Sequence, residues 1–349
     1  MIQSLGILDF LKLGESNPIF DVRSPGEFNH AHIPGAKSLP LFTDEERKIV
    51  GTAYKEIGKE QAVKIGLDCF GPKMRTMVEE VETLTQSVKP NETKVLVHCW
   101  RGGMRSGGVA WLLDLYGFDV YVLKGGYKAF RSWVRDVLAR QYNFKVIGGY
   151  TGSGKTRMLQ ELEKRGESTI NLEKIASHKG SAFGNLGMPD QPNQEQFENL
   201  LATELWQKHE ASHIWIEDES QRIGHLNLSQ DFWKTLRSST LIFLDIDFEL
   251  RLDLIEEEYG CLDKEKMIEA IKRIEKRLGG LEAKSSIEFL KNDNIRESFR
   301  ILLRYYDKYY LKSLNKRDPS MFVKHDLKLD TLDTTQNSLA LLELIKQNK

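Results

Sequence analysis

The chain is poor in the features that mark several broad classes of protein. Its 349 residues include three cysteines, Cys69, Cys99 and Cys261, in no CxxC or Cys/His zinc spacing. That excludes a disulfide framework and makes a reducing compartment the default. Nine prolines, against 40 % hydrophobic and 29 % charged residues, exclude a disordered or collagen-like chain. No apolar run approaches the ~20 residues that span a bilayer. The opening MIQSLGILDFLKLGES carries neither the basic stretch nor the cleavage-like site of a secretory leader, so a cytoplasmic protein without a membrane partner is expected. An excess of one charge is also lacking: 50 basic residues meet 51 acidic ones, for a net charge of -1. Any contact with nucleic acid must therefore come from a local basic surface.

At ~150 residues per domain the length suggests about two domains, and strand–loop–helix signals occur in both halves. Val95–His98 reads as a strand, followed by a glycine-rich loop and a helix over 105–116 that Gly117 ends in the left-handed conformation. Asp119–Leu123 reads as a second strand, and the Gly125-Gly126 turn leads into a helix over 127–140. Upstream, Thr43 and Glu46 have the form of a capping box that opens a helical region running with breaks to about residue 88. From Phe144 the pattern restarts: a strand over 144–147, a glycine loop, a helix to about Lys164, then apolar runs at 168–172, 213–217 and 240–246. Such alternation favours an α/β fold with parallel sheets. From about residue 248 to 315 the pattern is almost wholly helical, broken at Gly260 and Gly279-Gly280. Two domains are expected, 1–140 and 141–349, the second with a helical C-terminal extension from about 248.

The loop Gly149-Tyr-Thr-Gly152-Ser153-Gly154-Lys155-Thr156 fits GxxxxGK[ST] between a strand and a helix. Its glycines allow backbone N–H groups to wrap a diphosphate. Lys155 offers a charge to the outer phosphate and Thr156 a hydroxyl to Mg²⁺. Ile214-Trp-Ile-Glu217-Asp218 has the form of a strand ending in acids, which makes Asp218, and secondarily Glu217, candidates to hold the metal. Any diphosphate ester satisfies such a loop, so ATP is not singled out.

His98-Cys99-Trp-Arg101-Gly102-Gly103-Met-Arg105-Ser106 places a thiol at a strand end, before a helix N-terminus. Converging N–H groups, the helix dipole and the charges of Arg101 and Arg105 should favour a thiolate at Cys99. Cys69 and Cys261 lack such a setting. Read alone, HCx5RS suits a cysteine phosphatase, in which the loop binds phosphate and the thiolate attacks phosphorus; a related loop carries a persulfide.

Asp21-Val-Arg23-Ser-Pro-Gly-Glu27-Phe28-Asn-His-Ala-His32-Ile33-Pro34-Gly35-Ala36 resembles the DVR…E(F/Y)…HIPGA motif of the rhodanese family over about residues 5 to 135, with Cys99 at that family's persulfide-forming position. The loop is one residue longer than in simple thiosulfate sulfurtransferases, which leaves room for a tetrahedral oxyanion such as selenophosphate. A rhodanese-like parallel-sheet domain followed by a P-loop NTPase-like α/β domain resembles, over nearly the whole chain, the bacterial tRNA 2-selenouridine synthase family. His178–Gly184, Glu217–Gly224, Arg277–Gly280 and Tyr305-Tyr306-Asp307 add to the likeness. The resemblance implies exchange of the sulfur of wobble 2-thiouridine in tRNA for selenium from selenophosphate, through an S-geranyl intermediate made from geranyl diphosphate. It implies Cys99 as the residue that accepts selenium or positions its donor, and a selenophosphate-producing enzyme as a partner. The rival reading is a sulfurtransferase or cysteine phosphatase fused to a small-molecule kinase.

For tRNA, Arg296, Arg300, Arg304 and Lys308 recur every four residues beside an apolar set formed by Ile295, Phe299, Leu302, Leu303, Tyr306 and Tyr310. A four-residue step drifts about 40° around a helix, so only part of this basic line can meet one surface. Acids such as Asp293, Glu297 and Asp307 offer the alternative of a solvated, charge-balanced face. Shortening the cysteine loop by one residue should reduce use of a phosphorylated chalcogen donor more than use of thiosulfate in a sulfur-release assay; equal losses would contradict the role given to the extra residue.

Overall fold

In the computed structural model, which describes residues 2–86 and 90–347, two five-stranded parallel sheets organise the chain. They belong to separate units: Met1–Val137 with Glu198–Thr203, and Leu138–Phe197 with Glu204–Lys349. The grouping of Glu198–Thr203, the middle of the helix Gln194–Gln207, with the first unit has no signal in the sequence.

The first unit contains β1 (Gln3–Leu5), β2 (Ile19–Asp21), β3 (Lys37–Ser38), β4 (Lys94–His98) and β5 (Asp119–Leu123), in the order β1-β5-β4-β2-β3. The central strands β4 and β5 are buried along almost their whole length, as expected of parallel strands covered on both faces. Phe20, Val97 and Val122 form a row across the sheet and pack in one core with Phe70, Met77 and Val81. The last three come from the helices Lys59–Phe70 and Met74–Thr85. The capping box at Thr43 forms: its hydroxyl accepts from the Glu46 N–H at 3.2 Å, and Glu46 accepts from the Thr43 N–H at 2.8 Å. The expected end of this helical region near residue 88 lies outside the described residues. Gly117, at φ 119°, closes the helix Met104–Tyr116 in the left-handed region.

The DVR segment builds a buried charge cluster. Arg23 is 1 % exposed; its guanidinium grips both oxygens of Asp21, donates to the Ala31 carbonyl at 2.7 Å and lies 3.8 Å over the Tyr127 ring. Burial alone would raise the Asp21 carboxyl, but His98 and Arg23 hold it below its ordinary value. Arg23 does so at every accessible pH, whereas burial keeps His98 towards its neutral form.

In the second unit lie β6 (Phe144–Gly149), β7 (Thr169–Ile170), β8 (Ile214–Glu217), a small hairpin of β9 (Arg222–Ile223) and β10 (Leu226–Asn227), β11 (Thr240–Ile246) and β12 (Lys324–Leu329). The parallel sheet runs β12-β11-β6-β8-β7, so β6 is central and its carboxyl end opens into the glycine loop. That is where open α/β sheets bind ligands. The helical extension comprises Phe248–Tyr259, Lys264–Leu278, Gly280–Lys291 and Ile295–Leu314. Its core joins Leu252, Tyr259, Ile271, Leu290, Phe299 and Leu302. A further break at 292–294 contains no glycine: Asp293 takes φ 60°, and Asn294 caps the next helix by accepting from the Glu297 N–H at 3.1 Å. Among the described residues no helix is long and apolar enough to cross a membrane.

Replacing Arg23 with Met should leave Asp21 buried without its guanidinium partner, at a cost of about 3–5 kcal/mol in urea unfolding. Because the folded carboxyl titrates below its unfolded value of ~3.9, the stability it contributes is complete above that pH and is lost as pH falls through the folded value. The variant should lose this acid-dependent part of the wild-type stability curve.

Candidate active sites in the two units

In the first unit, β4 delivers Cys99 to a loop that folds back over its sulfur. The residue is 3 % exposed, and its Sγ lies 3.2 Å from the Ser106 hydroxyl. Burial pushes the thiol up. Hydrogen bonds from the Ser106 hydroxyl and from the backbone N–H groups of Ser106, Arg101 and Gly103 outweigh it and hold the thiol below its usual value. Two glycines permit this close folding. At Gly102 (φ 65°) a Cβ would lie 2.6 Å from the Leu123 carbonyl, and at Gly126 (φ 60°) one would lie 2.3 Å from the Cys99 carbonyl. The Cys99 and Trp100 carbonyls accept from the N–H groups of Tyr127 and Lys128, at 2.8 and 3.0 Å.

The two loop arginines act differently from expectation. Arg101 is exposed and contributes its backbone N–H. Arg105 turns its guanidinium to Glu27, 2.7 Å away, which in turn accepts from the Ser24 N–H. Burial works against the Glu27 carboxylate, and Arg105, the Ser24 N–H and the Arg47 charge together outweigh it. Arg105 therefore ties the cysteine loop to the start of the helix Pro25–His30 and does not aim its charge at sulfur. Ser106, the last residue of the motif, was not singled out in the sequence, although it makes the side-chain contact with the thiol.

In the second unit, the loop over 149–156 borders a cleft of about 550 Å³ whose lining includes Leu254, Ile255, Tyr259, Tyr306, Tyr309 and Tyr310. Gly152 and Gly154 adopt φ 79° and 72°, and the helix Lys155–Lys164 starts directly after them. Lys155 Nζ donates to the carbonyls of Gly149 (3.0 Å) and Tyr150 (3.2 Å), bent back over its own loop. The Thr156 hydroxyl donates to Glu173 at 2.7 Å, and the Glu173 N–H donates to Glu217 at 2.9 Å. Glu217 is 1 % exposed, its Oε2 has no hydrogen-bond partner, and burial together with the Glu173 charge pushes its carboxyl up.

The two acids at the end of β8 meet different partners. Both oxygens of Asp218 are engaged, one by the Tyr310 hydroxyl at 2.8 Å and the other by buried Arg317, so this carboxylate is not turned to the Thr156 hydroxyl. Glu217 and Glu173 are the acids beside Thr156; nothing in the sequence around Glu173 distinguished it. The basic line on the helix Ile295–Leu314 also divides. Arg296 pairs with Glu249, Asp253 and Glu256, and Arg300 with Glu249 and Glu297, whereas Arg304 and Lys308 are exposed. The charge-balanced alternative describes the first two residues.

Replacing Ser106 with Ala should move the Cys99 thiol towards higher pH, since a donor to the thiolate is lost. Iodoacetamide alkylation followed across pH would read this as an upward shift in midpoint; an unchanged midpoint would remove Ser106 from the site.

Residues 142–338 match the model of the tRNA 2-selenouridine synthase AAA domain, and residues 8–132 that of the rhodanese-like domain. A tRNA 2-selenouridine synthase of a Sulfurovum species is 35 % identical, with 86 % of this chain and 90 % of the relative covered. Those of Nitrosomonas europaea and Bdellovibrio bacteriovorus are each 32 % identical, over 86 % and 88 % of this chain and 90 % and 91 % of the relatives. A thiol cradle on a rhodanese-like sheet and a phosphate loop on a second parallel sheet thus occur in a chain that aligns with these enzymes almost end to end, and it belongs to the tRNA 2-selenouridine synthase family.

Proposed function

We propose that this enzyme exchanges the sulfur of wobble 2-thiouridine for selenium in two stages, geranylation in the second unit and selenation at the first. The observation that carries the reading is the lining of the cleft at 149–156: beside the phosphate loop and charged groups such as Lys179, Glu219 and Arg237 it contains four tyrosines, Leu254 and Ile255. That combination suits a diphosphate with an apolar tail. The loop N–H groups and Lys155 bind the diphosphate of geranyl diphosphate, with Lys155 exchanging its two loop carbonyls for phosphate oxygens. The thiouridine sulfur attacks the first carbon of the geranyl chain, the carbon–oxygen bond breaks, and diphosphate leaves. Tyr259, Tyr306 and Tyr309 exclude water from the chain.

Mg²⁺ would be held beside this loop by the Thr156 hydroxyl with Glu173 and Glu217, whose buried Oε2 has no hydrogen-bond partner. Among the described residues no three acidic, histidine or cysteine side chains form a complete metal site, so diphosphate oxygens and water would complete the shell. When bound, the ion supplies charge that stabilises departing diphosphate.

At the first unit, Cys99 and the N–H groups around it position selenophosphate, supplied by a partner enzyme that makes it. The donor's selenium attacks C2 of the S-geranylated base, the carbon–sulfur bond breaks, geranylthiol leaves, and water takes the phosphoryl group from selenium. A selenosulfide on Cys99 would need an added reductant before selenium could enter the base; this route needs none. Exposed Arg304 and Lys308 meet tRNA phosphates, since Arg296 and Arg300 are already neutralised.

Nucleoside mass spectrometry on 2-thiouridine tRNA, with selenophosphate and with or without geranyl diphosphate, tests both stages. Wild-type protein should yield 2-selenouridine, and S-geranyl-2-thiouridine when selenophosphate is omitted. Cys99→Ser should stop at the geranylated base, and Lys155→Ala should lower its formation by about a hundredfold or more. Loss of both products in Cys99→Ser would contradict the division of labour.

A further inference from the structure

Two side chains of one helix in the helical extension support the phosphate loop, Tyr310 directly and Asp307 through Arg251. Asp307 and Tyr310 stand three residues apart on Ile295–Leu314 and therefore share a face. Asp307 holds the Arg251 guanidinium by two parallel hydrogen bonds of 2.9 and 2.8 Å, and the same guanidinium donates to the Thr151 carbonyl at 3.1 Å. Arg251 is 3 % exposed, lies 4.8 Å from the Tyr150 ring, and its backbone carbonyl would be 2.9 Å from a Cβ at Gly152. Tyr310 accepts from the Gly149 N–H at 3.2 Å and donates to Asp218 at 2.8 Å. Thus the first and third residues of the glycine loop each have one peptide group tied to the helix.

We infer that Arg251, Asp307 and Tyr310 are positioning residues that hold the phosphate loop in its anion-binding shape before substrate arrives, an inference that rests on the diphosphate reading of the cleft. The argument comes from the peptide plane. In a trans peptide the C=O and the following N–H point in opposite directions. A carbonyl of Thr151 fixed on the buried Arg251 therefore fixes the Gly152 N–H on the opposite side, in a residue that lines the cleft. The bond is charge-assisted and the pair bidentate, so the guanidinium is held in orientation as well as position. Gly152 is free of a side chain where the helix carrying Arg251 packs closest, and its positive φ keeps the turn. Without the pair, the loop would have to lose conformational entropy when the anion binds, and affinity would fall accordingly.

The test is calorimetric titration of the full-length chain with inorganic pyrophosphate and Mg²⁺, comparing wild type with Arg251→Lys, Asp307→Asn, Asp307→Glu and Tyr310→Phe. Arg251→Lys and Asp307→Asn should each weaken pyrophosphate binding about tenfold, the scale of one charge-assisted hydrogen bond. Asp307→Glu should recover part of the loss. Thermal unfolding and Cys99 alkylation, run in parallel, report folding of the two units. Lower thermal stability with pyrophosphate affinity within about twofold of wild type would assign these residues to scaffolding and overturn the inference. Should the charge variants fail to fold, Tyr310→Phe removes one hydroxyl only, and an unchanged affinity there would overturn it as well. Wild-type protein that takes up no pyrophosphate would sink the diphosphate reading, and this inference with it.

Discussion

Backbone N–H groups gathered around a negative charge at the carboxyl end of a parallel strand are the interaction on which both sites depend. At the end of β4 the N–H groups of Arg101, Gly103 and Ser106 meet the protein's own Cys99 sulfur and favour its thiolate form. At the end of β6 the loop over 149–156 offers its N–H groups to a ligand. Neither arrangement could form with bulky residues throughout, because the loops turn through positive φ at Gly102, Gly152 and Gly154. The sheets hold each loop at a fixed exit and the following helix adds its dipole.

Such loops need support from behind, and in both units that support is a buried ion pair. In the first, Arg23 and Asp21 lie under the sheet end beside His98, and Arg105 with Glu27 clamps the far side of the cysteine loop. In the second, Arg251 with Asp307 and Arg317 with Asp218 hold the loop and the end of β8. A buried pair is weak evidence of net stability, since desolvation consumes much of the attraction. Its value here is directional: a guanidinium gripped at both nitrogens fixes the carbonyl that its remaining donor meets.

The crowding of carboxylates near Thr156 follows a different logic. Glu173 and Glu217 share a buried corner without a guanidinium, and Glu217 is pushed towards its neutral form. A protein that only needed stability would place an amide there.

The order of elements was legible in the sequence because the strongest signals are local: the buried runs of β4, β5, β8 and β11, the capping box at Thr43, Gly117 as a helix stop, and the two glycine loops. Strands β1 to β3, of two or three residues, were not legible, since so short a segment shows no period. The edge strand β12 was missed because its alternation is largely polar and half-exposed. Of the candidate sites, the cysteine loop and the glycine loop stood out because the chemistry proposed for them requires fixed residue types at fixed spacing. The side chains that pair beside them did not. Glu173 meets Thr156 from 17 positions away, Asp307 meets Arg251 from 56, and Arg317 meets Asp218 from 99. Sequence alone determined which backbone loops could hold an anion, because loop geometry depends on neighbouring residues and on glycine. Only the tertiary structure decided which charges pair beside those loops: Arg105 with Glu27, and Asp218 with Tyr310 and Arg317. Charge pairing is settled by which side chains packing brings together, and the helix periodicity that included Tyr310 carried no information about the loop it would touch.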